Sequence, residues 1–375
     1  MSGAVPISPH RVPCAIMGAA CDWTEARSSA PARGRKARNA IHIHDRGGWG
    51  ISSLSRRVKC ETRLEMSPLL PGGERMTTGP KPAAEITIEP SLVRALLQEQ
   101  HADLAQLALI EIGEGWDNKV FRLGDALAVR LPRRAASATL IEQEQRWLPQ
   151  LSPRLPVPVP VPLRIGRPGS GFPWSWSVVP WFAGQSALLA PPQDPAPLVA
   201  ALWQFLRAFH QPAPDDAPHN PWRGVPLATR TGKVREHVQQ LKGLVDGIAV
   251  LRLWEHVIST PSWSGPAMWI HGDLHPGNLL ISDGRLSAVI DFGDLTAGDP
   301  ATDLSVIWTL PASARSIFLA SSRGQPFNAI DEHTWIRARG WALALGLAYL
   351  ASSSDDEAMG ALGRAMIDAA LHDVS

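Results

Sequence analysis

Hydrophobic positions become regularly spaced near Ile86 and remain so almost to the end of the chain. Helical spacing starts at Ser91, recurs over residues 140–151 and is strongest in "PLVAALWQFLRAFHQ" from Pro197. Between the first two helices, "LALIEIGEGWDNKVFRLGDALAVRLPRR" consists of short β-rich runs interrupted by glycine turns, and "WSWSVVPWFAGQ" further on alternates like a strand. Strands come first and helices dominate afterwards, which predicts an α+β fold with a small β-rich N-lobe and a larger helical C-lobe.

The same pattern divides the chain into segments. Residues 1–80 alternate Gly, Pro, Ser and Arg without helical or strand periodicity, which predicts a disordered extension. An alternative is that translation starts at Met66 or Met76 and that the upstream residues are an artefact of gene-start assignment. The N-lobe is expected over residues 86–183 and the C-lobe over residues 184–375.

Charge and cysteine content limit the partners that the sequence allows. The formal net charge of +1 argues against nucleic acid, because proteins that track its backbone carry a clear basic excess. Residues 1–75 hold 12 basic and 6 acidic residues, so the remainder holds 36 − 12 = 24 basic and 35 − 6 = 29 acidic residues. All three cysteines also lie in that first stretch, which leaves the body without a disulfide framework and makes a reducing cytoplasm the expected compartment.

One apolar run could be mistaken for a membrane anchor. Residues 341–351 form the longest apolar stretch near the C-terminus, but a membrane span needs about 20 residues. The run therefore predicts a buried helix, and no membrane partner is expected. The oligomeric state is left open by the sequence.

The most informative segment is "WIHGDLHPGNLLISDGRLSAVIDFGDLTAGDPATDLS", residues 269–305. It places His271, Asp273 and Asn278 in one loop, followed by a hairpin around "SDG" and then Asp291 after an apolar run. The hairpin is expected to bring Asn278 and Asp291 together.

This set of side chains suits phosphoryl transfer. The reaction needs a carboxylate that orients the attacking hydroxyl and takes its proton, together with oxygen ligands that hold Mg²⁺ against the nucleotide phosphates. Asp273 is the candidate carboxylate, and Asn278 and Asp291 are the candidate metal ligands. The H-x-D-x-x-x-x-N spacing followed by D-F-G resembles the catalytic and metal loops of protein kinases.

With Gly272 after the histidine and "DPATDL" after "IDFGD", the segment resembles the aminoglycoside-phosphotransferase family, and the resemblance spans roughly residues 86–373. It implies a two-lobed protein-kinase-like fold, a small-molecule acceptor and ATP or GTP as co-substrate. In that family the position of Asp273 is the catalytic base. His271 and Asp303 match structural support of the catalytic loop. No Ala-Pro-Glu signature follows the metal loop, which makes a polypeptide acceptor unexpected.

The resemblance also implies nucleotide contacts in the N-lobe. "GEGWDN" lies where the family places its phosphate-covering loop, with Gly113, Gly115 and Asn118 as the expected contacts, although the full G-x-G-x-x-G spacing is missing. The family's phosphate-binding lysine is replaced by Arg130, which keeps the charge but presents a planar fork.

The expected helix partner of this arginine is Glu144, with Glu142 as the alternative, and a purely structural ion pair is also possible. Val179 and Trp181 fall where the lobe-connecting segment offers backbone groups to the purine, whereas Pro180 between them has no N–H to donate.

Two rival functions remain open. His271, Asp273 and His275 together suit a metallohydrolase site, although that interpretation leaves Asn278 and the D-F-G segment unexplained. A catalytically weak relative that binds nucleotide as a regulator is favoured only by Arg130, whereas the complete set of Asp273 and its metal ligands favours an enzyme.

The acceptor is expected to carry little positive charge. Aminoglycosides are polycations and need a surplus of carboxylates, yet residues 211–269 contain five acidic and six basic residues, and residues 304–375 contain seven and five. This balance favours a macrolide-like or metabolite hydroxyl. Trp308, Trp335 and Trp341 are candidates for lining an apolar acceptor pocket.

Overall fold

The structure, a computed structural model, describes residues 82–322 and 330–372. The chain divides into two compact units, Met1–Leu70 and Pro71–Ser375, and every described residue belongs to the second unit. The extension predicted over residues 1–80 and the three cysteines lie outside the described residues.

The N-lobe is built on a five-stranded antiparallel sheet with the strand order β1-β2-β3-β5-β4. Its elements are α1 (Pro90–Gln100), β1 (Leu109–Glu114), β2 (Asn118–Leu123), β3 (Leu127–Pro132), α2 (Ala135–Leu151), β4 (Arg164–Gly166) and β5 (Trp176–Pro180). The Pro-Val repeat between α2 and β4 forms no helix, as proline's missing N–H and fixed φ require.

The central strand β3 presents its side chains alternately to the two faces of this sheet. Val129 and Leu131 belong to the hydrophobic core that also includes Leu96 and Leu97 of α1. Because successive side chains of a strand point to opposite faces, Arg130 projects from the other face, where it meets α2. A cation is thereby held on an otherwise apolar strand.

The C-lobe is mostly helical and carries two small antiparallel sheets, ordered β6-β8-β9 and β10-β7. The helices are α3 (Ala196–Phe209), α4 (Thr231–Gln240), α5 (Gly247–Ile258), α6 (Ala301–Leu304), α7 (Ala312–Ser322), α8 (Glu332–Ala351) and α9 (Glu357–His372). The strands are β6 (Gln185–Ser186), β7 (Met268–Ile270), β8 (Leu279–Ser282), β9 (Arg285–Val289) and β10 (Thr296–Gly298). The α+β prediction with two lobes is confirmed.

Helix α8 forms the centre of the C-lobe. Apolar residues surround its second half on all sides, a pattern typical of a helix buried in a core rather than lying on a surface. Gly346 of α8 faces Gly363 of α9 so closely that a Cβ on Gly363 would lie 2.6 Å from the Gly346 carbonyl oxygen. The predicted buried helix over residues 341–351 is confirmed. No helix within residues 82–322 and 330–372 is both long and apolar enough to cross a membrane.

Candidate active site

The loop that follows β7 is anchored by a buried carboxylate. Asp303, at 0% exposure in α6, accepts hydrogen bonds from the backbone N–H groups of His271 (2.8 Å) and Gly272 (2.9 Å). His210, at the end of α3, contacts the same carboxylate at 3.0 Å. Gly272 has φ +85°, and a Cβ there would lie 2.4 Å from the carbonyl oxygen of Asp294, so this position requires glycine. The chain therefore turns at Gly272, and Asp273 follows this turn at the end of β7.

Hydrogen bonds assign the two histidines of this loop to structural roles. His271 Nδ1 lies 3.3 Å from the N–H of Asp273, and His271 Nε2 lies 3.0 Å from the carbonyl oxygen of Ile290, so both ring nitrogens have backbone partners. His275 Nδ1 accepts the Gly277 N–H at 3.1 Å, so Nε2 is the ring nitrogen that carries a proton. Among the described residues, no group of three or more His, Cys, Asp or Glu side chains could hold a metal ion, so the geometry does not support the metallohydrolase alternative.

The hairpin of β8 and β9 joins Asn278 to Asp291. Its turn, Asp283 and Gly284, has φ values of 51° and 72°, the left-handed conformation that Asp-Gly adopts in tight hairpins. At the open end, the Ile290 N–H donates to the carbonyl oxygen of Asn278 at 3.0 Å. The two candidate metal ligands are therefore held at neighbouring backbone positions.

Both residues present oxygen atoms that suit Mg²⁺. Asn278 donates through Nδ2 to the backbone carbonyl of Asp273 (2.9 Å), and its Oδ1 makes no hydrogen bond to any described residue. Asp291 has φ +62°, a strained value for a residue with a side chain, and its side chain is 54% exposed. One amide oxygen and one accessible carboxylate are the hard oxygen ligands that this ion prefers, so the residues fit it.

Arg130 connects the N-lobe to this hairpin. Its Nη1 lies 2.5 Å from Glu144 Oε2 in α2, and its Nη2 donates to Asp291 Oδ1 at 3.1 Å. Burial raises the pKa of Glu144 to about 7, although the charge of Arg130 opposes that shift. Glu142 instead accepts a hydrogen bond from the Ser175 hydroxyl at 2.9 Å, so the arginine's helix partner in the structure is Glu144.

The glycine-containing segment forms the turn between β1 and β2. Gly113, with φ +151°, lies at a bulge in the β1–β2 pairing, and the Gly115 N–H donates to the carbonyl oxygen of Asn118 at 2.8 Å. Arg133 donates to the carbonyl oxygen of Gly115 at 3.1 Å. Asn118 is buried, yet its Oδ1 has no hydrogen-bond partner among the described residues. The turn thus lies at the start of β2, the strand that pairs with β3 and places Val120 opposite Arg130.

The backbone N–H of Trp181, where a purine contact is expected, has a partner within the sheet. The Trp181 N–H donates to the carbonyl oxygen of Ala126 at 2.8 Å, extending the β3–β5 ladder by one step. This donor is therefore already used and is not free for a purine. Val179 pairs with Ala128 in the same ladder.

Two residues that the sequence did not single out contact Asp273. Tyr349 of α8 donates from its hydroxyl to Asp273 Oδ1 at 2.7 Å, and Arg223 Nη2 lies 3.5 Å from the same oxygen. Arg223 Nη2 also lies 3.2 Å from Asp294 Oδ2. The contacts to Tyr349 and Arg223 join residues 76 and 50 positions apart, so no local spacing could have indicated them.

These contacts set the ionisation of the group. Burial alone would raise the pKa of Asp273, but the contacts from His275, Arg223 and Tyr349 outweigh it and hold that pKa well below its ordinary value. Burial, followed by the charge of Asp273, raises the pKa of Tyr349 well above its ordinary value. The site therefore contains an ionised carboxylate facing a protonated phenol.

The tryptophans expected at the acceptor pocket lie elsewhere. Trp341 (0% exposed) and Trp308 (4%) are part of the C-lobe core, and Trp335 packs against Phe318. The expectation that Trp308 and Trp341 line a pocket is wrong, because helix α8 and the turn after α6 bury both rings. Trp222, next to Arg223 in sequence, is exposed.

Comparison with known proteins agrees with this architecture. The model of the phosphotransferase enzyme family (APH) matches residues 108–340, more than half of the chain. A β-sheet N-lobe followed by a helical C-lobe is the architecture of kinase-like phosphotransferases. The chain belongs to the APH phosphotransferase enzyme family, whose members are small-molecule kinases.

Solved structures share the fold at low sequence identity. The GDP complex of wild-type aminoglycoside 2'-phosphotransferase-IIIa is 19% identical with a TM-score of 0.56, covering 73% of this chain and 96% of the other. The gentamicin complex of APH(2")-IIa is 15% identical with a TM-score of 0.50, covering 77% and 97%. Macrolide 2'-phosphotransferase MphH from Brachybacterium faecium is 22% identical with a TM-score of 0.48, covering 74% and 98%. A comparison with functionally curated proteins found no significant match.

Proposed function

We propose that the protein transfers the γ-phosphoryl group of ATP or GTP to a hydroxyl group of a small molecule, with Asp273 as the catalytic base. The observation that carries this proposal is the placement of Asp273, Asn278 and Asp291 at the open end of one hairpin, with Arg130 3.1 Å from Asp291. The GDP complex of a structural relative supports a nucleotide as co-substrate.

Each residue has a distinct task in this proposal. Asp273 orients the acceptor hydroxyl and receives its proton. Asn278 Oδ1 and the Asp291 carboxylate would hold Mg²⁺, which when bound neutralises charge on the nucleotide phosphates. Arg130 would bind the α- and β-phosphates in place of lysine, since a guanidinium carries five N–H donors and the contacts to Glu144 and Asp291 use two of them. The Arg130–Glu144 pair keeps that guanidinium in place.

The acceptor proposed here carries little positive charge. Arg230 lies 5.0 Å from the Trp222 ring and has no carboxylate partner among the described residues. Burial lowers the pKa of Arg230, and the nearby charge of Arg223 lowers it further. Arg223 beside Asp273, with the charge of Arg230 acting on it and an exposed indole next to it in sequence, disfavours a polycation and favours an apolar or neutral molecule. A macrolide-like or metabolite hydroxyl fits this surface better than an aminoglycoside.

The catalytic assignment is tested by Asp273→Asn, with Asp283→Asn in the exposed hairpin turn as the matched control. A general base contributes about 10²–10⁴-fold, so turnover should fall by that factor while nucleotide affinity stays nearly unchanged. Near-normal kcat in Asp273→Asn would refute the base assignment.

Asp291→Ala should instead remove the Mg²⁺-dependent part of nucleotide affinity, measured by titration calorimetry with and without the metal.

The acceptor class is tested by steady-state kinetics with kanamycin-type and macrolide-type acceptors at two ionic strengths. We expect weak aminoglycoside phosphorylation that salt reduces strongly, and a preference for the less charged acceptor. An aminoglycoside kcat/KM of about 10⁶–10⁸ M⁻¹s⁻¹ would contradict this preference.

A further inference from the structure

The hydroxyl of Tyr349 makes a short contact with the proposed base. It donates to Asp273 Oδ1 at 2.7 Å from the last turns of α8, and its ring packs edge-on against His275 with centroids 5.3 Å apart. Tyr349 is also the only tyrosine among the 375 residues of the chain. The proposed function gives this residue no role.

The two oxygens of the Asp273 carboxylate have different surroundings. Oδ1 accepts the Tyr349 hydrogen bond and lies 3.5 Å from Arg223 Nη2. The contact to Oδ2 among the described residues is His275 Nε2, also at 3.5 Å, which is longer than an ordinary hydrogen bond. The side chain keeps 27% exposure with these partners in place, so a small hydroxyl can reach the carboxylate without displacing them.

We propose that Tyr349 is a positioning residue that fixes the Asp273 carboxylate through Oδ1 and leaves Oδ2 as the oxygen that takes the acceptor's proton. This inference rests on the proposed function. A carboxylate on a loop can rotate about its terminal bond and exchange its two oxygens, whereas a phenol fixed in the central helix prevents that rotation. Arg223 alone is less suited to this task, since its contact to Oδ1 is longer and it lies closer to Asp294.

The proton and bonding changes balance without another reagent. The acceptor's O–H bond breaks and its proton moves to Oδ2, while the acceptor oxygen forms a bond to the γ-phosphorus. The bond from that phosphorus to the bridging oxygen of the β-phosphate breaks, and the nucleoside diphosphate leaves. Tyr349 keeps its own proton throughout, and Asp273 then releases the proton it received to water.

The first test observes the hydrogen bond directly and needs no acceptor. Full-length protein labelled with 3-fluorotyrosine should give one ¹⁹F resonance, because Tyr349 is the sole tyrosine. Asp273→Asn should shift that resonance, whereas the control Asp283→Asn should leave it in place. An unchanged resonance in Asp273→Asn would overturn the inference, and this result does not depend on any turnover.

The second test uses water as the acceptor and follows hydrolysis of Mg·ATP and Mg·GTP. Tyr349→Phe keeps the ring and removes the hydroxyl, and Ser352→Ala removes a hydroxyl three residues later without touching Asp273. We expect kcat to fall about tenfold in Tyr349→Phe, the effect of losing one hydrogen bond to a charged group, with the nucleotide KM unchanged. Ser352→Ala should retain the wild-type rate, and thermal melts check that both variants are folded.

The possible results distinguish a failure of the Tyr349 positioning role from a failure of the proposed function. A wild-type kcat in Tyr349→Phe, or a change confined to KM, would overturn the positioning role. A wild-type chain that hydrolyses neither nucleotide and phosphorylates no acceptor would refute the proposed function and the positioning role with it. A fluorine signal that still responds to Asp273→Asn in that case would retain the hydrogen bond as a structural contact only.

Discussion

Arg130 has two structural tasks that a lysine would not perform together. One guanidinium nitrogen contacts Glu144 and another contacts Asp291, so the fork spans two carboxylates on different elements. A lysine ammonium is a single point donor on a flexible stem and cannot reproduce this spacing. The exchange therefore alters the geometry of the site even though it preserves the charge.

Removal of Arg130 should lower stability as well as activity. Glu144 has 1% exposure, and deleting one partner of a buried ion pair typically costs about 3–5 kcal/mol. We expect Arg130→Met to lose stability of that order in urea unfolding, and the double variant with Glu144→Met to regain most of it without regaining activity. Arg130→Lys should retain part of the activity. Full activity in Arg130→Met would mean that the residue is only structural.

The same variant should show a stronger pH dependence of its stability than the unaltered protein. Burial already raises the pKa of Glu144 to about 7, and loss of Arg130 removes an influence that lowers it. The folded variant then binds more protons than the unfolded chain, so its stability falls as pH rises through that pKa. Urea unfolding of Arg130→Met should therefore show a larger deficit above about pH 7 than below it. A deficit independent of pH would contradict this account of Glu144.

At the scale of elements, the catalytic loop depends on one tight crossing of backbone. Gly272 adopts φ +85° and approaches the carbonyl of Asp294, while Asp303 fixes the loop from the other side. The crossing places Asp273 and Asp294 on either side of Arg223. The geometry of the base is thus coupled to the segment that follows Asp291.

Gly243 and Gly272 have nearly equal φ values, so alanine substitutions at these two positions distinguish the cost of left-handed backbone strain from the cost of disturbing the backbone crossing. Gly243 has φ +84°, and a Cβ added there would have nothing within 4 Å, whereas a Cβ on Gly272 would lie 2.4 Å from a backbone oxygen. Gly243→Ala should cost only the left-handed strain, about 1–2 kcal/mol. Gly272→Ala should cost about 1–3 kcal/mol more, because backbone must move to relieve the overlap. Equal losses in urea unfolding, or unimpaired turnover in Gly272→Ala, would show that the crossing is not needed.

At the scale of the whole molecule, the buried residues that form the two hydrophobic cores within residues 82–322 and 330–372 lie between Ile88 and Ala370. The helices and strands that hold Arg130, Asp273 and Asp291 all lie within the same part of the chain. Folding and phosphoryl transfer should therefore be properties of the second compact unit.

Deletion of residues 1–75 tests this expectation. A chain starting at Met76 should show the same thermal midpoint and the same nucleotide turnover as the full chain, since the deleted residues have no core-forming pattern. Thermal melts and steady-state kinetics of the two proteins decide it. A midpoint several degrees lower after truncation would show that the first 75 residues stabilise the body.

The sequence alone determined the fold class and the order of the candidate residues, because both depend on short-range patterns. Periodicity separates a β-rich lobe from a helical one, and one run of 37 residues, numbered 269–305, carries the proposed base, the proposed metal ligands and the acid that anchors the loop. Within such a run, loop and hairpin spacing follows from residue types alone.

The tertiary structure alone decided which side chains surround that base. Tyr349 and Arg223 reach Asp273 from positions 76 and 50 residues away, and Arg130 reaches Asp291 across 161 residues. The tertiary structure also uses the Trp181 N–H in a hydrogen bond within the sheet. Contacts over such separations depend on how helices and strands pack. Periodicity in a single sequence predicts the elements, but it does not indicate which distant side chain will contact a given carboxylate.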